Sequence, residues 1–141
     1  MTRSIEQIVR EIDTFEIGPD YMDRLELLMD DLPSLTDGTL PMAAVLRLIE
    51  RSPQVDFGSP GPLVHAIETF FGRGYEEELL QSLARRPTAL TVWMLNRIIN
   101  GTKGAAREYY LTVLNQIAND ASVDSDASES AKHFAAYQNQ E

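Results

Sequence analysis

The sequence predicts an all-α fold. Apolar residues recur at spacings of three and four along nearly the whole chain, and Pro or Gly punctuates each amphipathic stretch. No run shows the apolar–polar alternation of a half-buried strand. The best strand candidate, Val55 to Phe57, is too short to build a sheet.

The elements follow in order. Ile5, Ile8, Val9, Ile12 and Phe15 share one face of a first helix, with Thr2 or Ser4 available as its cap. Gly18-Pro19 closes that helix and opens the next. From Asp20 to Asp31, Tyr21, Leu25, Leu28 and Leu32 form an apolar stripe opposite Asp23, Glu26, Asp30 and Asp31. Pro33 and Asp37-Gly38 mark a loop. A third helix starts near Pro41 with Leu40, Ala44, Val45, Leu48 and Ile49 as its buried side, and Pro53 ends it. Pro60 and Pro62 suit the first turn of a fourth helix, where a missing N–H costs nothing. Its apolar face is Leu63, Ile67, Phe70 and Phe71, and Gly72 and Gly74 stop it.

Tyr75, Leu79, Leu80 and Leu83 define a fifth helix. Glu76, Glu77 and Glu78 sit in its first turn and Arg85 and Arg86 at its end, the signs that suit a helix dipole. A sixth runs from Leu90 to Asn100 with Val92, Leu95, Ile98 and Ile99 inward, stopped by Gly101. A seventh covers Lys103 to Asp120, with Tyr110, Leu114 and Ile117 on one side. The expected organisation is therefore a domain of about seven helices over residues 1–120. Residues 121–141, rich in Ser, Asp and Ala, form a flexible polar tail with room for a short helix at Ser130 to Tyr137.

A faint echo links three helices. Eight and four residues before Pro33, Pro53 and Pro87 stand Leu25 and Met29, Val45 and Ile49, and Leu79 and Leu83. Stacked, HEAT-like helix hairpins would produce this pattern. Any amphipathic helix with a proline stop would produce it too.

Composition narrows the function classes. At 141 residues and 43% hydrophobic, the chain can bury a genuine core. Its 22 acidic and 12 basic residues give a net charge of −10, which disfavours nucleic acid and anionic membrane surfaces and suits a cationic protein partner. No apolar run is long enough to span a membrane. The N-terminus has no secretory h-region, so a cytoplasmic protein is expected. There is no Cys and hence no thiol nucleophile, disulfide or thiolate metal site.

Catalytic signatures are sparse. The glycines match neither the P-loop nor the dinucleotide pattern. His65 and Glu68 lie at i, i+3, a spacing used in helical di-metal sites, but no second such pair accompanies them. The acidic pairs could serve as general acid and base, yet among so many carboxylates they select nothing. The expectation is a protein with no catalytic residue, no cofactor and no metal.

Binding residues are more visible. The stretch from Glu11 to Asp31 carries eight acids against Arg24, and its second half offers Asp20, Asp23, Glu26, Asp30 and Asp31 as charged contacts. Solubility alone would explain such a face. A patch shaped for the phosphate-binding surface of a nuclease would explain it equally. Glu76, Glu77 and Glu78 are a second acidic candidate. Trp93, Arg97 and Tyr109 are candidate anchors, since Trp, Tyr and Arg are enriched where interfaces are tightest. For Trp93 a core position is the simpler reading. Tyr109 and Tyr110 cannot both face inward on one helix.

At GSPGPLVHAIETF (Gly58 to Phe70) and RRPTALTVWMLNRIING (Arg85 to Gly101) the chain resembles small helical immunity proteins of bacterial polymorphic-toxin and contact-dependent growth-inhibition systems. The resemblance covers about a third of the chain. It implies a cytoplasmic protein that binds one cognate toxin domain with a basic surface and neutralises it by stoichiometric inhibition. It carries no catalytic residues across. A helical-repeat adaptor without inhibitory activity is the alternative.

Overall fold

The computed structural model describes residues 3–58 and 61–139. Thr2 and Pro60, expected as a cap and a first-turn residue, lie outside them. Among the described residues the fold is all-α, with eight α-helices and one 3-10 turn. The helices are α1 (Ile5–Asp13), α2 (Tyr21–Met29), α3 (Thr39–Arg51), α4 (Pro62–Glu68), α5 (Tyr75–Arg85), α6 (Ala89–Asn100), α7 (Gly104–Ala118) and α8 (Ser125–Gln138). The 3-10 turn is Leu32–Ser34.

The chain forms two compact units divided between Leu80 and Gln81, inside α5. In the first, α1 packs on α3 and α2 on α4, with thinner links from α1 to α2 and from α3 to α4. The main pairings thus join alternate helices, and consecutive helices touch least. In the second unit α6, α7 and α8 each pack on the other two.

Local chemistry sets the helix boundaries. The Ser4 Oγ accepts the Gln7 N–H at 3.1 Å and starts α1. Gly38 precedes α3, where a Cβ would stand 2.3 Å from the Phe70 ring, so only glycine lets that aromatic approach. Pro62 occupies the first turn of α4, as the sequence predicts. Thr88 and Thr91 form a capping box at the start of α6. Gly72 and Gly74 adopt φ of 77° and 104°, which turns the chain from α4 into α5.

The inward faces largely match the apolar stripes. Ile8, Ile12, Leu25, Leu32, Val45, Leu48, Leu63, Ile67, Phe70 and Leu79 are buried in the first unit, and Val92, Leu95, Ile99 and Leu114 in the second. Ile5, Val9, Phe15, Tyr21, Leu80 and Tyr110 are only half-buried, and two residues assigned inward are exposed, Leu40 by 62% and Phe71 by 52%. Leu40 shares the outward stripe of α3 with Arg47 at i+7, while Pro41, Met42 and Val45 take the inward side. Phe71 lies beyond the end of α4 and rests against the Tyr75 ring at 6.5 Å between centroids.

The C-terminal segment also differs from expectation. It is a 14-residue helix, α8, beginning five residues before the short helix foreseen at Ser130. Ala127, Ala131 and Ala135 fall at i, i+4 and i+8 and are all buried. Alanine is the strongest helix former and packs closely, but contributes little hydrophobic signal per residue. A helix built on alanine therefore reads as a polar tail.

Candidate functional site: an acidic groove between α2 and α4

Helix α2 has three working faces. Leu25 and Leu28 point into the core. Asp23 and Leu27, four apart, stand outward, with Leu27 69% exposed. The third stripe is Met22, Glu26, Met29 and Asp30, continued by Pro33 in the 3-10 turn; these are the i, i+4, i+7, i+8 and i+11 positions of one helical face. Opposite them α4 presents Pro62, His65 and Ala66, extended by Thr69, again at helical spacing. The two stripes enclose an open groove of about 760 Å³, which Gly58 and Gly61 also border. Gly61 is fixed by its surroundings, because a Cβ there would stand 1.7 Å from the Phe57 carbonyl oxygen.

The groove combines an apolar floor with one acidic wall, that of α2. Met29 and Ala66 are buried and Met22 half-buried, whereas Glu26, Asp30 and His65 are exposed. No ion pair among the described residues engages Glu26 or Asp30. His65 borders the groove, yet no group of three or more Asp, Glu or His side chains among the described residues is placed to hold a metal ion.

The fold divides the predicted acidic set. Glu26 and Asp30 enter the groove, and Asp23 is exposed beside it. Asp20 precedes α2 with φ of 59°, in the left-handed region, and its side chain makes no capping bond. Asp31 is committed elsewhere. The Arg3 Nε donates to its Oδ2 at 3.1 Å, and Arg3 also binds Glu11 and donates to the Leu28 carbonyl at 2.8 Å. Burial works against the Arg3 charge, but the bonds to Glu11 and Asp31 raise its pKa overall. Asp31 thus fastens the region before α1 to the end of α2, as a structural ion pair. Asp13 is likewise paired with Arg47. The sequence shows Arg24 alone within this acidic stretch, whereas folding brings Arg3 and Arg47 to it from outside. Arg24 itself lies over the Phe15 ring at 4.7 Å and donates to the Glu16 carbonyl.

The remaining candidates are dispersed. Glu76 accepts the Gly72 N–H at 3.0 Å and so stabilises the turn before α5. Glu77 is exposed and Glu78 half-buried. In the second unit Trp93 is half-buried, with the Arg97 guanidinium stacked 4.8 Å above its ring. Tyr109 is 57% exposed and Tyr110 half-buried, so one of the tyrosine pair does face outward. Sequence reasoning missed Met22, Met29, Pro33, Pro62, Ala66 and Thr69 as groove residues. The α2 stripe was visible in the spacing, but only the tertiary pairing with α4 turns it into a wall.

No helix among the described residues is long and apolar enough to cross a membrane. No family model, curated protein or solved structure matches the chain.

Proposed function

We propose that this protein is a cytoplasmic immunity protein: a non-enzymatic, stoichiometric inhibitor that binds one cognate toxin domain, a nuclease above all, through the acidic surface of α2. The supporting observation is that Glu26 and Asp30 line an open groove with no cationic side chain paired to them among the described residues. A basic, phosphate-binding surface supplies the missing charge, and the net charge of −10 speeds encounter with such a partner. The resemblance at Gly58 to Phe70 agrees with this reading, since α4 lies within that segment.

The test is co-expression with any toxin-type domain encoded immediately upstream. The expected outcome is restored growth and a one-to-one complex by calorimetry that weakens with added salt. Continued toxicity with no binding at low or high salt would discard the pairing. The alternative, a helical-repeat adaptor, draws on the recurrent pairing of alternate helices in the first unit. It predicts binding without protection of growth.

A further inference from the structure

Resting on the reading above, we infer that the α2–α4 groove docks a segment of the partner protein that pairs an arginine or lysine with a neighbouring apolar side chain. Glu26 and Asp30 are four residues apart on one helical face. Like charges at this spacing destabilise an isolated helix. The arrangement is thus unfavourable for folding and favourable for a cation placed between the two carboxylates, where a guanidinium can reach both. The floor is of a different character. Met22, half-buried above the core residues Met29 and Ala66, is a flexible, polarisable side chain that adapts to an apolar visitor, and Pro33 and Pro62 extend a surface without charge. A volume of about 760 Å³ accommodates several side chains. A small polyamine would satisfy the carboxylates but leave the accessible parts of Met22, Pro33 and Pro62 in water. A peptide segment carrying both chemistries covers the whole groove.

The probe is a fluorescein-labelled peptide of three Gly-Ser-Arg-Leu repeats, titrated into the full chain by anisotropy and by amide chemical-shift mapping. Binding is expected, with shifts concentrated on α2 and α4. The same peptide with serine for leucine should bind at least fivefold more weakly, and spermine should not compete. The double variant E26Q/D30N should lose about tenfold in affinity. D20N/D23N removes the same charge outside the groove and should lose less than twofold. Both pairs are exposed, so circular dichroism should show unchanged helix content. No binding, equal losses in the two variants, shifts centred elsewhere, or competition by spermine would each overturn the assignment. Growth assays separate this inference from the function. Protection that survives E26Q/D30N would sink the groove and spare the inhibitor. Peptide binding without any protection would sink the inhibitor and spare the groove.

Discussion

Helices α3 and α6, one from each unit, bury the same seven positions at an offset of fifty residues: 41, 42, 44, 45, 46, 48 and 49 in α3, and 91, 92, 94, 95, 96, 98 and 99 in α6. Arg47 and Arg97 occupy the same outward position. The contents differ. Position 46 is leucine and fully buried, whereas Asn96 is 7% exposed. The asparagine is tolerated because the Gln138 Nε2 donates to its Oδ1 at 2.7 Å. Gln138 also donates to the Asn100 Oδ1 at 2.8 Å and accepts from Arg107 Nη2 at 2.8 Å. The last turn of α8 is thereby tied to α6 and α7. One burial pattern is met by apolar packing in α3 and by a hydrogen-bonded amide cluster in α6.

The largest expected effect comes from copying the α6 residue into α3. Leu46→Asn buries an amide with no glutamine to meet it and removes an aliphatic side chain, at a cost of about 4 kcal/mol. Urea unfolding reads this as a lower midpoint at constant slope. A loss under 1 kcal/mol would mean the site reorganises or admits water.

Removing the partner in α6 comes next. Gln138→Ala leaves the buried Asn96 amide unmet and should cost about 1–3 kcal/mol. The double variant N96L/Q138L, which recreates the α3 solution, should recover most of it. Failure to recover would show that the cluster contributes beyond satisfying Asn96.

The two arginines sharpen the comparison at smaller scale. Arg47 donates to Asp13 through Nε and Nη2 at 3.2 and 3.0 Å, with both side chains well exposed. Arg47→Ala should cost about 0.5 kcal/mol, shrinking with added salt. Arg97 lies over Trp93, the single tryptophan. Arg97→Ala should red-shift the Trp93 emission as the ring gains water, and Arg47→Ala should leave it unchanged.

The smallest effect concerns the helix starts. The Asp37 carboxylate accepts the Thr39 N–H at 2.9 Å at the head of α3, and that bond holds its pKa below the ordinary 3.8. Its stabilisation is fully present above 3.8 and is lost as pH falls through the lower folded value. Thr88 and Thr91 at the head of α6 carry no titratable group. Amide exchange in the first turn of α3 should therefore rise on acidification below this range, while that of α6 does not follow it.

The same contrast explains what the sequence could reveal. Burial within a helix follows from apolar spacing, so the centre of each inward face of α2, α3 and α6 was readable, with Leu40 misassigned and Pro41, Met42, Leu46, Thr91, Met94 and Asn96 missed. The partners of polar groups were not. Arg3 meets Asp31 across 28 positions, Arg47 meets Asp13 across 34, and Gln138 meets Asn96 across 42. Such pairings depend on which helices lie together, which helical periodicity leaves undetermined. Hence the acidic set was visible as a list, but its division into groove, ion pair and open surface was not. The full length and packing of helix α8, foreseen only as a short helix from Ser130 to Tyr137, stayed hidden because its buried stripe is alanine.

The most direct test of the proposed function is the association of the E26Q/D30N variant with a toxin domain that the unaltered protein neutralises, measured by stopped flow across a salt series beside the unaltered protein. The account predicts slower association and a flatter salt dependence for the variant. An unchanged rate and salt slope in a complex that still forms would contradict it, and would place the interface away from the groove.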